Sequence, residues 1–466
     1  MKVLFPLPSK LVCSCPLALM TDKADILILG ATGYTGGLIA RYLSAHPQRS
    51  QFTLAVGARS PEKLKILVQE LALPASVKLV KVDVTNLDEV DAAVMQTRVV
   101  INTVGPYWLW GTPVVRACVR HGVHYVDLTG ETVWVHKLIL ELDYYATKTG
   151  AIIVPACGFD SMPSDISAYL ANKTLKSLGP SSTGEYLDAG NSLSAQQFIG
   201  GISGGTVSTA MVVFGKVPKR ALKEAGRPYS TSPVVGIRPA FRFLYDLPVP
   251  GSKTLTGALF FMAPSNKSVV QRTFGLFELQ KRENKDNESA LLSYGPRFCY
   301  DEFMVTSGPI SAVIFTVALV IGFGMLLCKP IRNFIHILLP QSGDGPTDEQ
   351  MQKGFLKVTN ITTSSSAPPV EVKTVIKGKG DPGYLLSALM ISESALCFLL
   401  PPVSAGTSPS LTPKDNVHAL PALGRQGGVL TTMTAFGDEL IRRLEETGRF
   451  EFSSSVVEDT ESRKRV

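Results

Sequence analysis

The fold of this chain is decided at residues 26–36, ILILGATGYTG, where an aliphatic run ends in three glycines spaced three residues apart. The run is long enough for one buried strand, and a helical pattern follows at residues 38–43. Glycines let a backbone approach a pyrophosphate, and the free N–H groups of a helix start face the anion. The stretch therefore predicts a dinucleotide-binding loop, with an oxidoreductase as the leading interpretation. The predicted contacts in this loop are Gly30, Thr32, Gly33, Tyr34, Thr35 and Gly36.

Strand and helix patterns alternate after this loop. Strand patterns lie at residues 52–56, 77–82 and 99–104, and helical patterns lie between them at residues 61–71 and 87–95. Such alternation is typical of a parallel, doubly wound sheet. We therefore predict an α/β fold with a Rossmann domain over residues 22–165, and a sugar-nucleotide or regulatory binder remains the alternative. The GxxGxxG spacing differs from GxGxxG, so the first turn differs in detail.

The end of the second predicted strand indicates which dinucleotide binds. NAD binders place a carboxylate there, whereas NADP binders place a cation for the 2′-phosphate. Arg59 and Ser60 follow this strand, with no acidic residue at its end. Arg59 can pair with a phosphate bidentately and Ser60 can donate a hydrogen bond, so NADPH is predicted over NADH. The alternative for Arg59 is a solvated helix-start cation. Asp83, after the third strand, either contacts adenine or caps a helix.

Three more loops leave predicted strand ends, at residues 102–107, 128–131 and 155–165. Ligands of open α/β sheets bind at this edge, so the loops are expected to converge on one crevice. Asn102, Val104 and Gly105 are predicted to line the cofactor. A reductase must also deliver a proton. The candidate proton donors are Tyr107, Asp160, Asp127 and Ser161. The alternative for Tyr107 is packing against the cofactor or in the core, and that for Asp127 is a turn cap; no metal site is predicted.

Length and composition bound the possible functions. A chain of 466 residues can form two domains with a large core. The net charge of +7 is spread along the chain rather than gathered in one stripe, so nucleic acid is not an expected partner. Seven cysteines without a regular framework suit a reducing compartment. Residues 1–21 are predicted to be a disordered extension, or not translated if Met20 is the start, rather than a signal peptide.

Residues 310–328, ISAVIFTVALVIGFGMLLC, form a run of nineteen uncharged residues, and a second apolar run follows at residues 333–339. The first run has the length of a membrane span, with a buried core helix as the alternative. A single span would place two parts of one fold on opposite sides of a membrane. We therefore expect a hairpin in one leaflet or a segment lying on a lipid surface. The expected location is the cytoplasmic face of a membrane or lipid droplet.

The alternation fades beyond the first domain. Residues 166–402 are predicted to form a mixed α+β substrate domain that contains the apolar segment. Residues 403–425 are rich in proline and serine and predict a loop. Residues 426–450 contain an amphipathic helix, and residues 451–466 predict a disordered tail.

Four motifs together resemble the saccharopine dehydrogenase-like oxidoreductases. They are GATGYTG from Gly30, INTVGPYWLWGTPVVRACVRHGVHYVDLTGE from Ile101, PACGFDSMPSD from Pro155 and GGVLTTMTAFGDELIRRLEETG from Gly427. The resemblance covers about residues 22–448 and is greatest to the branch of trans-acting enoyl reductases of lipid and polyketide biosynthesis. It implies a Rossmann domain, an inserted mixed domain and a C-terminal helix that returns to the first domain. Some members of the family are associated with lipid droplets, in agreement with the apolar segment.

Three functions follow as hypotheses. The first is an NADPH-dependent reductase of an enoyl or related unsaturated acyl group. The second is a reductase or dehydrogenase of a C=N bond, as the family name suggests. The third is a non-catalytic nucleotide-binding protein on a lipid surface. Saccharopine-type enzymes need clustered arginines in the second domain to hold carboxylates, and no such cluster is evident. An apolar or acyl substrate, delivered at a membrane or by a carrier protein, is therefore favoured; a homodimer is compatible with the sequence.

Overall fold

The structure, a computed structural model, describes residues 23–182, 184–201, 204–327, 330, 345–403 and 416–458. Within these residues lie two seven-stranded sheets. Every strand pair of the first sheet is parallel, as the alternation predicts. In spatial order its strands are β13 (Gly428–Val429), β6 (Ile152–Val154), β5 (His124–Asp127), β4 (Thr97–Asn102), β1 (Ala24–Leu29), β2 (Leu54–Ala58) and β3 (Lys78–Lys81).

Helices connect these strands and cover both faces of the sheet. The central strands are rich in aliphatic residues because both of their faces are buried, as in β1, where every residue is buried. The Rossmann-type parallel sheet is thereby confirmed. The connecting helices are α1 (Tyr34–Ser44), α2 (Pro61–Glu70), α3 (Leu87–Met95), α4 (Tyr107–His121), α5 (Thr132–Thr149) and α6 (Met162–Lys176).

The second sheet is mixed; six of its strands lie between β6 and β13 in the chain, and its seventh follows β13. Its β10 runs parallel to β7, and the other pairs are antiparallel. Helix α6 leaves the first sheet and packs on the second, so it joins the two layers. In spatial order the strands are β14 (Phe450–Val456), β12 (Glu371–Lys379), β11 (Phe355–Ser364), β7 (Ala189–Ile199), β10 (Cys299–Val305), β9 (Leu255–Ala258) and β8 (Tyr245–Leu247).

The remaining helices follow α6 in the chain, and one of them, Ser387–Cys397, packs against α1, β4 and β5 of the first layer. The C-terminal segment adds β13 to the first sheet and β14 to the second, so it spans both. The helices are α7 (Gly204–Lys216), α8 (Lys219–Ala225), α9 (Ala263–Asn284), α10 (Asn287–Leu292), α11 (Pro309–Leu327), α12 (Asp348–Lys353), α13 (Ser387–Cys397), α14 (Ala422–Gln426), α15 (Thr432–Ala435) and α16 (Asp438–Glu446).

Two boundary predictions differ from the structure. The predicted disordered tail 451–466 is wrong over residues 451–456, which belong to β14 and pair with residues 372–377 of β12. The serines of this segment gave no recognisable strand pattern in the sequence. In the structure the Ser454 hydroxyl has hydrogen-bond partners, because it lies 2.6 Å from the hydroxyl of Thr174 and 2.9 Å from that of Thr374. The predicted loop 403–425 ends early, since residues 422–426 form α14. Residues 1–22, 404–415 and 459–466 lie outside the described residues.

The apolar segment forms α11, which packs against β9 and α7. Ala312 is fully buried, but most of the large side chains of this helix are exposed, so the alternative of a buried core helix is wrong. Among the helices that the structure describes, none has the length and hydropathy needed to cross a membrane. The second apolar run, residues 333–339, lies outside the described residues. The exposed side chains are Ile310, Val313, Ile314, Val317, Val320, Ile321, Phe323 and Met325, with exposed fractions from 38% to 78%.

Candidate functional site

The glycines between β1 and α1 are required by close backbone packing. Gly30 has φ +83°, and a Cβ added there would lie 2.7 Å from Thr103 Oγ1. A Cβ on Gly36 would lie 2.3 Å from the carbonyl oxygen of Gly30. Helix α1 starts directly after Gly33. Its first N–H groups have no carbonyl of their own helix to bond. The loop therefore has the shape and the donors that a pyrophosphate needs.

Tyr34, predicted to contact the cofactor, directs its side chain elsewhere. Its hydroxyl donates to the carbonyl of Pro346 and to Met351 Sδ, both in the second layer. Burial raises the pKa of this hydroxyl to about 12. A contact between Tyr34 and the dinucleotide would thus use the backbone N–H. Thr32 is exposed beside the loop, and Thr35 is half-buried in the first turn of α1.

The end of β2 places one cation beside this loop. Arg59 is exposed, and within the described residues no hydrogen bond or ion pair occupies its guanidinium. Ser60 caps α2 by accepting from the Lys63 N–H, at 3.2 Å. Asp83 accepts from the N–H and hydroxyl of Thr85, and these two hydrogen bonds lower its pKa. The structure thus leaves Arg59 open for a phosphate, while Ser60 and Asp83 take part in local capping.

Reversing the charge at Arg59 should change cofactor selectivity. An Arg59→Glu variant is expected to bind NADPH about 10- to 100-fold more weakly, because it loses a charge-assisted hydrogen bond to the 2′-phosphate. NADH binding should change little. Fluorescence titration with both nucleotides measures this, with Lys65→Glu on the following helix α2 as the control for charge. Unchanged NADPH affinity in Arg59→Glu would show that the phosphate lies elsewhere.

Asp127 holds together the loops that follow β5 and β6. Its carboxylate accepts from the Tyr125 hydroxyl at 2.8 Å, from Thr129 N–H at 2.9 Å and from Ala156 N–H at 3.0 Å. Burial raises its pKa to about 7, although these hydrogen bonds act in the opposite direction. Asp127 is fully buried. Its contacts match the turn-cap alternative, and they show that the predicted loops converge.

The loop after β4 closes the same edge of the sheet. Asn102 Nδ2 donates to the Tyr125 hydroxyl at 3.0 Å, and Asn102 Oδ1 accepts from Val104 N–H at 3.0 Å. Gly105 is exposed next to them. A Cβ added to Gly105 would lie 3.9 Å from Thr209 Oγ1 of α7, so the second layer reaches the crevice at this point.

Tyr107 is built into the wall of this crevice. It opens α4, where its N–H and that of Trp108 donate to the Glu131 carboxylate at 2.7 Å and 2.8 Å. Its hydroxyl donates to the carbonyl of Asn102 at 3.0 Å, and its ring stacks on Trp134. This placement favours the packing alternative over proton donation. Sequence reasoning missed the capping role of Glu131.

Ser161 connects the crevice to a buried polar network of the second layer. Its hydroxyl donates to Asn266 Oδ1 across a long 3.4 Å, and Asn266 Nδ2 donates to Glu302 at 2.7 Å. Ser161 is fully buried. Glu302 and Asn266 were missed because they lie more than a hundred residues from the crevice loops in sequence. The further donors to Glu302 are Ser164, Tyr300 and Gln196.

Asp160 differs from the other three candidates. Its carboxylate carries no hydrogen bond or ion pair within the described residues, and its side chain is half-buried rather than enclosed. Asp160 Oδ2 lies 3.0 Å from the position of a Cβ on Gly130, which is exposed at the end of the β5 loop. Burial raises the pKa of Asp160 to about 6. A carboxyl with these properties is suited to donate a proton near neutral pH.

Comparisons with known proteins show which proteins this chain is similar to. Residues 26–154 match the family described as saccharopine dehydrogenase NADP binding domain. A trans-acting enoyl reductase of Mycobacterium bovis is 31% identical over 442 residues, covering 91% of this chain and 96% of that protein. One of Mycobacterium ulcerans is 28% identical over the same shares. Apo saccharopine dehydrogenase (L-Glu forming) of Saccharomyces cerevisiae is 14% identical with a TM-score of 0.48, covering 93% of this chain and 100% of that one. The cofactor is NADPH, as predicted.

Proposed function

Because the chain belongs to the saccharopine dehydrogenase-like oxidoreductases, in their trans-acting enoyl reductase branch, we propose that it reduces an unsaturated acyl group with NADPH. When bound, NADPH supplies a hydride for one carbon of the double bond. The loop at Gly30 and Gly36 would hold the pyrophosphate, and Arg59 would hold the 2′-phosphate. The observation that carries the proposal is the Asp160 carboxyl, which lies beside the exposed Gly130 and is bonded by none of the residues that the structure describes.

Asp160 would complete the reduction as the general acid. Hydride addition at the β-carbon of an enoyl thioester places negative charge on the α-carbon and carbonyl oxygen. The protonated Asp160 carboxyl gives its proton to the α-carbon, so that a saturated thioester results. The carboxylate then takes a proton from water before the next turnover. Asp127 and Tyr107 would act as positioning residues that fix the loops around this carboxyl.

A series of aromatic rings supports an apolar substrate. Phe159 is next to Asp160 in sequence, and its ring centroid lies 4.9 Å from that of Phe198. The ring centroids of Phe198 and Phe260 are 6.0 Å apart. Phe260 in turn lies 5.4 Å from Phe261, which is 45% exposed. The rings lead from the proposed acid to the surface, and an acyl chain could lie against them. A lipid-like substrate, free or bound to a carrier, fits this wall.

The exposed apolar side chains of α11 support a location at a lipid surface, on the cytoplasmic face of a membrane or lipid droplet. Monomeric soluble proteins rarely expose so continuous an apolar face. In this location the enzyme would meet apolar acyl substrates where they accumulate.

The proposal is tested by following NADPH oxidation with enoyl thioesters of increasing chain length, with imines as the competing class. We expect oxidation to require an enoyl thioester, to yield equal amounts of saturated product by mass spectrometry, and to favour longer chains. Turnover of imines alone would support the C=N hypothesis. Tight NADPH binding without turnover of either class would support the non-catalytic hypothesis.

A further inference from the structure

A second apolar surface lies in residues 235–244, VGIRPAFRFL, which we name the aromatic loop. Its apolar side chains are unusually exposed, and its two arginines, Arg238 and Arg242, are exposed as well. The loop contains no acidic residue, and neither arginine forms an ion pair with a described residue. Its exposed apolar side chains are Val235 (72%), Ile237 (46%), Phe241 (71%), Phe243 (66%) and Leu244 (39%).

The base of the aromatic loop is fixed, so the exposure of its tip is part of the fold. The Tyr229 hydroxyl donates to the carbonyl of Ile237 at 2.7 Å. Gly236 packs so closely on Tyr229 and Phe274 that an added Cβ would lie 2.7 Å and 2.9 Å from their atoms. At the tip, the rings of Phe241 and Phe243 pack edge to face with centroids 4.7 Å apart.

The aromatic loop and α11 lie at the same edge of the second sheet. Tyr245, directly after the loop, pairs with Gly257 of β9, and Gly257 pairs with Val305 of β10. Neighbouring strands are about 4.8 Å apart, so the loop end lies about 10 Å from Val305. Helix α11 begins four residues later, at Pro309. The exposed Phe261 follows β9 in the same region.

We infer that the aromatic loop and α11 together form one surface that binds an anionic lipid layer. Aromatic and aliphatic side chains enter the boundary between headgroups and acyl chains, while arginines at their flanks pair with anionic headgroups. The inference rests on the lipid contact proposed above and not on the reductase activity. The inference extends the proposed lipid contact from α11 to the aromatic loop, and it specifies that the lipid headgroups are negatively charged.

The arginines also distinguish a lipid layer from a second copy of this chain. In a two-fold dimer the same patch faces itself, so the arginines of both copies would approach one another. No acidic residue of the aromatic loop could compensate them. An anionic lipid layer provides the opposite charge across the whole surface. Homodimerisation through this patch is therefore the competing outcome of the experiment.

Flotation with phosphatidylcholine vesicles, with and without phosphatidylserine, tests the inference on the full chain. Wild-type protein is expected to bind the anionic vesicles more tightly than the neutral ones. Arg238→Gln with Arg242→Gln should weaken anionic binding about fivefold per arginine and leave neutral binding unchanged. Phe241→Ser with Phe243→Ser should weaken binding to both vesicles by about tenfold or more per ring.

Matched controls lie on other faces of the molecule. Leu140→Ser controls for the loss of an exposed apolar side chain, because Leu140 is 73% exposed on α5. Arg297→Gln controls for the loss of a positive charge, because Arg297 is exposed near the opposite end of β10. NADPH titration of every variant reports on folding and on the cofactor site independently. Wild-type protein that binds no vesicle, or loop variants that bind like wild type, would overturn the inference. Dimers that dissociate in the loop variants without any vesicle binding would also overturn it.

Discussion

An Asp160→Asn variant should lose about 10²- to 10⁴-fold in kcat while binding NADPH as tightly as the wild type. The amide keeps the size of the carboxyl but cannot donate an acidic proton. Asp160 has no hydrogen bond or ion pair within the described residues, so the substitution should leave the surrounding loops intact. Single-turnover rates with an enoyl thioester, together with NADPH titration, separate the chemical step from cofactor binding.

The pH dependence gives a second measure of the same group. Burial raises the pKa of Asp160 to about 6, and the reaction needs the protonated form. The wild-type kcat should therefore be highest below pH 6 and fall about tenfold per pH unit above it. Asp160→Asn should abolish this descending limb.

Asp83→Asn is the matched control, because Asp83 also lies in a loop that follows a strand of the first sheet, but its carboxylate accepts hydrogen bonds from Thr85. It should retain both kcat and the pH profile. If Asp160→Asn keeps its rate within about tenfold and keeps the descending limb, the proton comes from another group.

The parts of the site that sequence predicts are those encoded locally. Gly30 and Gly36 are close in sequence, and their backbones pack against each other in the structure. The spacing of the glycines is therefore enough to predict the backbone geometry of the loop. Arg59 follows from the same logic, since the strand end that carries it has a fixed place beside the glycine loop. The convergence of the crevice loops follows from the parallel order of the strands.

The parts that sequence could not predict depend on partners distant in the chain. The sequence predicts Tyr107 as a proton donor, but in the structure its hydroxyl donates to the backbone carbonyl of Asn102. Asp160 and Asp127 look alike in sequence, but three hydrogen bonds occupy Asp127 within the fold. Strand β14 was not predicted, because the hydrogen-bond partners of its Ser454 lie on α6 and β12, which are distant in sequence. Burial and long-range pairing, which no local pattern encodes, decide each of these cases.

A buried ion network offers the largest expected effect on stability. Arg443 of α16 donates from Nε to Glu393 of α13 at 2.8 Å, and both side chains are at most 2% exposed. Glu393 also accepts from the hydroxyl of Tyr42 on α1, and it lies 3.0 Å from Nε2 of His46, which follows the end of that helix. Burial alone would raise the pKa of Glu393, but Arg443, His46 and Tyr42 hold it below its ordinary value. The network therefore ties the dinucleotide-binding layer to the C-terminal segment.

Replacing Arg443 with methionine should lower the free energy of unfolding by about 3–5 kcal/mol, because it leaves the Glu393 carboxylate buried without its charged partner. Urea unfolding followed by circular dichroism measures this. Adding Glu393→Gln to Arg443→Met should restore part of the loss, since the uncompensated charge is gone.

Arg442→Met is the matched control at the neighbouring position, because Arg442 is 57% exposed and its buried partner Glu439 also accepts a hydrogen bond from Asn416 Nδ2 at 3.3 Å. It should change stability by no more than about 1 kcal/mol.

The depressed pKa of Glu393 also fixes the sign of the pH dependence of stability. The contribution of Glu393 to the free energy of unfolding is present above the unfolded-state pKa of about 4.3 and is lost as the pH falls below it. Wild-type protein should therefore lose stability towards acid more steeply than the double variant. Equal effects of Arg442→Met and Arg443→Met would contradict the role of this network.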